Sequence, residues 1–145
     1  METQRKTKKF YRELIAKQML NTPIDTIKEV VKKYAPEDKW WTRIYLAEHT
    51  KFNWNHKIER IGVNKQGVVY FSIYWQGDST DGNDAADLTK VINAVRYGRD
   101  YVIPAEHEFL GDRTYCRHSD LRISKAEVED AYKALIAYLT PQTKK

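Results

Sequence analysis

Val68-Val69-Tyr70-Phe71-Ser72-Ile73-Tyr74-Trp75, running through Gln76 into Gly77-Asp78-Ser79-Thr80-Asp81-Gly82-Asn83-Asp84, is the segment from which the fold is read. Val69, Phe71, Ile73 and Trp75 are apolar, and they alternate with Tyr70, Ser72, Tyr74 and Gln76. A period of two describes a strand with one face in the core and the other in water, the habit of antiparallel sheets. The wetted face therefore carries tyrosines. The Asp-rich run that follows reads as a loop leading into a helix. There Asn83 or Asp84 is placed to cap free N–H groups and the acids complement the helix dipole.

Working upstream, Trp41-Thr42-Arg43-Ile44-Tyr45-Leu46 and Lys57-Ile58-Glu59-Arg60-Ile61-Gly62-Val63 are rich in β-branched and aromatic residues and read as two further strands. Asn64-Lys65-Gln66-Gly67 separates the second from the third, and Asn and Gly tolerate the positive φ of a short hairpin loop. Before the strands, Phe10, Leu14, Ile15 and Met19 give a loose amphipathic pattern for a helix from about Thr7 to Leu20. Thr22-Pro23-Ile24-Asp25 offers an N-cap, a proline at the first helical position and an early acid, the start of a second helix ending near Tyr34. A helical hairpin that packs is favoured over a DNA-reading pair, because the second helix presents Lys28, Glu29, Lys32 and Lys33.

Downstream, Leu88, Val91, Ile92 and Val95 repeat at i, i+3, i+4, i+7, and Gly98 suits the left-handed position that ends a helix. Ser124-Lys125-Ala126-Glu127 is a capping box opening a last helix with Val128, Tyr132, Leu135, Ile136 and Leu139 as its apolar stripe, stopped at Pro141. Tyr101-Val102-Ile103-Pro104 reads as extended and Arg113-Thr114-Tyr115-Cys116-Arg117-His118 as a short strand. The expected fold is α+β: one domain over residues 1–145, with flexible tails at about 1–8 and 141–145. It is an antiparallel meander of three to four strands with an N-terminal helical pair and two more amphipathic helices on one face.

At 145 residues the chain is long enough to bury a real core, and 41% hydrophobic with 31% charged residues is an ordinary globular balance. No apolar run approaches the roughly 18 residues of a membrane span, and the beginning of the chain is polar and cationic. Cys116 is the single cysteine, so no internal disulfide is available. A cytoplasmic protein with no membrane partner is expected. The net charge is +5 and the isoelectric point about 9.2, with Arg5, Lys6, Lys8, Lys9 and Arg12 concentrated near the start against Glu2. Such an arm suits a polyanion through counterion release, or simple solubility.

Several residue groups bear on function. On a strand at 113–118, Arg113, Tyr115 and Arg117 share one face, guanidinium forks beside a ring that can stack a base. The blander reading is an edge strand kept soluble by arginines. Cys116 and His118 share the other face, yet no nucleophile signature surrounds the cysteine, and no catalytic residue is assigned. Asp78, Asp81, Asp84 and Asp87 are candidates for a divalent cation, but their spacing of three is not a calcium loop and helix capping explains them better. Glu48-His49 with His56, and Glu106-His107-Glu108, lack recognisable ligand spacing. Trp40, Trp41, Trp54 and Trp75 cannot all fit a core this small, so a surface aromatic patch is expected.

Three functions follow. The favoured one is a small basic non-catalytic protein that binds nucleic acid or a nucleotide. In it Arg96, Arg99, Arg113 and Arg117 hold phosphates, Tyr70, Tyr74 and Tyr115 stack, and no cofactor or metal is required. The second is a protein-binding inhibitor or adaptor, of the kind phages and other mobile elements encode, acting through the aromatic patch. The third is a metal-dependent phosphodiesterase using the 78–87 loop with His107 and Glu108.

Overall fold

The computed structural model describes residues 6–47, 56–76, 81–110, 113–117 and 120–141, with side chains at 56–57, 76, 81 and 106–117 outside that description. Four strands, β1 (Thr42–Tyr45), β2 (His56–Val63), β3 (Val69–Gln76) and β4 (Asp81–Asp87), form an antiparallel meander in the order β1-β2-β3-β4. The alternation read in β3 is the alternation found: Val69, Phe71, Ile73 and Trp75 are buried, and Tyr70, Ser72 and Tyr74 are half-buried. One row, Ile44–Ile61–Phe71–Ala86, crosses all four strands with every member buried. Between β2 and β3 Gly67 takes φ 82°, and the Asn64 side chain accepts from the backbone N–H groups of Gln66 (3.0 Å) and Val68 (2.9 Å), which closes the turn.

The Asp-rich run departs from the sequence expectation. Residues 81–87 form β4, paired with β3 from Gln76–Asp81 to Tyr70–Asp87, in place of a loop entering a helix. Asp, Gly and Asn disfavour strands, but β3 is apolar on one face and presents unpaired backbone groups to any chain alongside it. Pairing outweighs local preference, and Ala86 supplies the inward methyl. Capping passes from Asn83 or Asp84 to Asp87, whose carboxylate accepts from the Thr89 N–H at 2.9 Å at the start of α3 (Leu88–Arg96).

The helices cover the apolar face. α3 buries Leu88, Val91, Ile92 and Val95 and ends in a double closure, Gly98 N–H to Val95 O (3.1 Å) and Arg99 N–H to Ala94 O (3.1 Å), with Gly98 at φ 81°. α1 (Lys8–Gln18) is capped by Thr7 and ends at Gln18, two residues before Leu20; Met19, at φ 46°, begins a 3₁₀ turn over Met19–Asn21. α2 (Ile24–Tyr34) ends as expected but starts differently. Pro23 is the cap residue, and Thr22 is buried with its hydroxyl lacking a hydrogen-bond partner among the described residues. α4 (Lys125–Tyr138) has the expected reciprocal box: the Glu127 N–H donates to Ser124 Oγ (3.2 Å) and the Ser124 N–H to Glu127 Oε1 (3.0 Å).

Two small ribbons complete the described chain, β5 (Tyr101–Ile103) with β8 (Leu121–Ile123) and β6 (Glu106–Leu110) with β7 (Arg113–Arg117). The molecule is thus an α+β domain with its core between the four-stranded sheet and the helices. Near the start, Lys6 and Thr7, expected in a flexible tail, have partners: the Lys6 carbonyl accepts from Lys33 Nζ at 2.9 Å and Thr7 caps α1. Positions 1–5 and 142–145 lie outside the described residues. Among the described residues no helix is long and apolar enough to cross a membrane.

Candidate functional site

The sheet face turned away from the helices gathers the chain's aromatic and cationic side chains. Register sets two rows across it: Arg43–Gly62–Tyr70–Asp87, and Tyr45–Arg60–Ser72–Ala85. Of these only Gly62 is buried. It lies beneath the Tyr70 ring, so close that a β-carbon at position 62 would stand 2.7 Å from Tyr70 Cζ and from its hydroxyl. The absent side chain lets the ring lie flat along the sheet and lowers the floor of the face.

Between Ile58 and Arg60 the β2–β3 register slips by one residue, a bulge that gives the strand an extra position at Glu59. The Glu59 carboxylate pairs with Arg60 at 3.2 Å and accepts from Asn83 Nδ2 at 2.7 Å, linking β2 to β4. Arg60 Cζ in turn lies 5.6 Å from the centre of the Tyr45 ring. At the edge of the sheet Asp38 Oδ1 accepts from the backbone N–H groups of Trp40 (2.8 Å) and Trp41 (3.2 Å), fixing the turn that carries both indoles. Arg43 Cζ lies 4.9 Å over Trp41 and Lys39 Nζ 5.3 Å over Trp40, within cation–π range.

Arg43, Arg60 and Tyr70 line an open trough of about 1170 Å³, bounded by Trp40 and Trp41 on one side, by the turn residues Asn64, Lys65 and Gln66 at one end, and by Asn83, Asp84 and Asp87 across the sheet; Tyr45 borders a smaller adjoining depression with Asp38, Arg43 and Arg60. Small-molecule clefts typically measure roughly 300–1,000 Å³ and enclose their ligand. This one is larger and lies along a surface, so its shape suits a length of polymer. Trp40 is 69% exposed, Trp41 51% and Tyr45 44%, an unusual concentration of bare rings.

Tyr70 stands in this trough, and Tyr74 occupies the same face opposite Asn83. Arg96 and Arg99 do not join them. Arg96, at the end of α3 on the helical side, donates to the Leu20 carbonyl at 3.0 Å. Arg99 follows the α3 terminus and borders a separate depression of about 640 Å³ with Lys90, Tyr97 and Tyr101. Arg113, Tyr115 and Arg117 lie on β7, with side chains outside the described residues, as are those of Cys116, His107 and Glu108. Asp78, His49, His118 and Trp54 lie outside the described residues altogether.

On β4, positions 81 and 84 oppose Gln76 and Ile73, which belong to opposite faces of the sheet. A spacing of three along a strand separates residues by roughly 10 Å and turns them apart, where on a loop or helix it draws them together. Among the described residues no group of three or more His, Cys, Asp or Glu side chains is close enough to hold a metal. Comparison with protein-family models, with curated proteins and with solved structures finds no match to this chain.

Arg43 and Arg60 escaped the sequence reading; for Arg43 the signal was available, while the bulge at Glu59 shifts Arg60 to the open face against the alternation of its segment. Trp41, Arg43 and Tyr45 are alternate residues of one segment, and the rule that put Tyr70 and Tyr74 on the wetted face of β3 puts these three on one face of the β1 segment, two strands away. Lys39 and Asp38 carry no such signal, because they precede the strand.

Proposed function

We propose that the chain is a binding protein for single-stranded nucleic acid, seated on the open face of the four-stranded sheet. Trp40, Trp41 and Tyr70 supply stacking surfaces, with Tyr45 beside them, and Arg43, Lys39 and Lys65 neutralise phosphates, while the charge of Arg60 is answered by Glu59. One observation carries the reading: the rings of Trp40, Trp41 and Tyr70 and the guanidinium group of Arg43 share a single open trough, with Arg43 already over Trp41, and Arg60 lies over Tyr45 in the adjoining depression. Bases present a π-face to any ring, and a cation beside the ring meets the neighbouring phosphate, so this pairing holds a strand with little regard to sequence. The net charge of +5 acts in the same direction.

Arg43 and Lys65 replace Arg96 and Arg99 in this account, since Arg96 is bound to the Leu20 carbonyl and Arg99 borders a separate depression. Duplex DNA fits less well, because its bases are stacked on each other and closed to the indoles, and because the described residues put no helix on this face.

A protein partner is the competing reading, favoured by the exposure of Trp40 and Trp41, residue types that anchor interfaces. Titration of a fluorescent single-stranded oligonucleotide across a salt series separates the two. The polyanion reading expects log K to fall linearly with log salt. It also expects Arg43→Ala with Lys65→Ala to lessen the slope by about 1.4, because each phosphate no longer neutralised takes about 0.7 from it. An unchanged slope in that variant would remove the assignment, and wild-type protein that fails to bind at low salt would leave the aromatic face to a protein partner.

A further inference from the structure

The trough does not end at its hairpin. Its end wall, Asn64, Lys65 and Gln66, belongs to the β2–β3 turn, and the next residue, Gly67, has the ammonium of Lys28 against it: a β-carbon there would lie 2.9 Å from Lys28 Nζ. Lys28 reaches the turn from α2, where it also borders a second groove of about 470 Å³ with Lys32 and Lys33. One ammonium group thus joins two concavities that would otherwise be separate.

The groove on α2 has acids as well as bases, and their states decide its sign. Glu29 accepts a short hydrogen bond from the Tyr11 hydroxyl and is paired with Lys6 at 3.5 Å, so its charge is answered locally. Asp25 is in the first turn of α2, where the helix dipole favours a carboxylate. Lys33 donates to the Lys6 carbonyl. Lys28 and Lys32 are spaced i, i+4 on one face of the helix, about 5–6 Å apart at their β-carbons, and Lys65 stands across the turn from them. What remains is a cationic line leading out of the trough.

Resting on the reading given above, we infer that the nucleic-acid site has two parts: the aromatic trough, and an electrostatic extension in which a strand leaving the trough past Lys65 crosses the hairpin turn at Lys28 and continues along α2 over Lys32. The trough grips bases. The extension grips phosphates only, since its lining offers three ammonium groups against Asp25 and the locally paired Glu29, and no ring.

The test compares single-stranded oligonucleotides of about 4 and about 16 nucleotides, the limits of site size for a small single-strand-binding fold, against wild-type protein and a Lys28→Ala/Lys32→Ala variant, over a salt series. Wild-type protein is expected to bind the longer strand with a steeper salt dependence. The variant is expected to lose about 1.4 from the slope for the longer strand while binding the shorter one as before, which also reports that its trough is intact. Equal slopes for the two lengths in wild-type protein, or a variant weakened equally toward both, would overturn the extension and leave the trough standing. If neither strand binds wild-type protein, the trough reading itself falls and takes the extension with it.

Discussion

Glu29 illustrates how a single exposed carboxylate is committed by its surroundings. It is the acceptor for the phenol of Tyr11, a side chain buried by α1 and α2, and Lys6 approaches the same oxygen. The Tyr11 hydrogen bond, followed by the Lys6 charge, holds the Glu29 carboxyl below the usual glutamate range, while burial and then the bond to Glu29 push the Tyr11 phenol up. A carboxyl whose folded pKa is lowered stabilises the fold fully above its unfolded value, about 4.3, and loses that contribution as pH falls toward the lower folded value. Urea unfolding of wild-type protein should therefore weaken more steeply below about pH 4.3 than that of Glu29→Gln, which has no such proton to take up. Parallel curves for the two proteins would mean that the ionised carboxylate adds nothing to the fold.

At the scale of elements, β4 and α3 meet at one residue. Asp87 closes the strand opposite Tyr70 and caps the helix through Thr89, so it fixes where the chain turns from the sheet into its covering layer. Replacing an N-cap acid by alanine costs about 1 kcal/mol, and Asp87→Ala is expected to lower stability by about that amount in urea titration. Asn83→Ala and Asp84→Ala, the caps anticipated from sequence, should not free a helix N–H group; an N-terminal fraying of α3 seen by hydrogen exchange in Asp84→Ala and not in Asp87→Ala would reverse the assignment.

The same junction marks what the sequence conceals. α3, the α4 capping box, the β2–β3 turn and the inward face of β3 were legible because each is announced within a few residues: a helical repeat, a Ser–Glu pair, Asn before Gly, strict alternation. β4 was not, since its residues are poor strand formers and its existence depends on the open edge of β3 beside it. Thr22 fails for the same kind of reason. Its type predicts a cap, but packing draws it into the core, where its hydroxyl finds no protein partner among the described residues.

For the whole molecule the division of labour lies between the two faces of one sheet. The helical face holds the stability: Phe71, Ile73 and Trp75 are at most 1% exposed within a continuous apolar cluster. The open face holds the aromatic and cationic groups, and its composition was legible in kind, as tyrosines on the wetted face and surplus tryptophans on the surface. Its membership was legible only in part. Which arginines accompany the rings is set by strand register, and register depends on the bulge at Glu59 and on pairing between segments distant in sequence.

Two substitutions test this division. Phe71→Ala empties a site between sheet and helices and should cost about 3–5 kcal/mol of stability, enough to unfold a domain of this size under mild denaturant. Trp41→Ala removes a half-exposed ring that packs against Arg43 and solvent, so stability should stay within about 0.5 kcal/mol. Its affinity for a single-stranded oligonucleotide should fall by about 1–3 kcal/mol, the worth of one base stacked on one ring. With the guanidinium of Arg43 released from the indole, the salt dependence should be retained, because neutralising a phosphate is separate from stacking a base. A Trp41→Ala protein that melts early would place the indole in the core energetics, and one that keeps both its stability and its oligonucleotide affinity would remove Trp41 from the stacking surface.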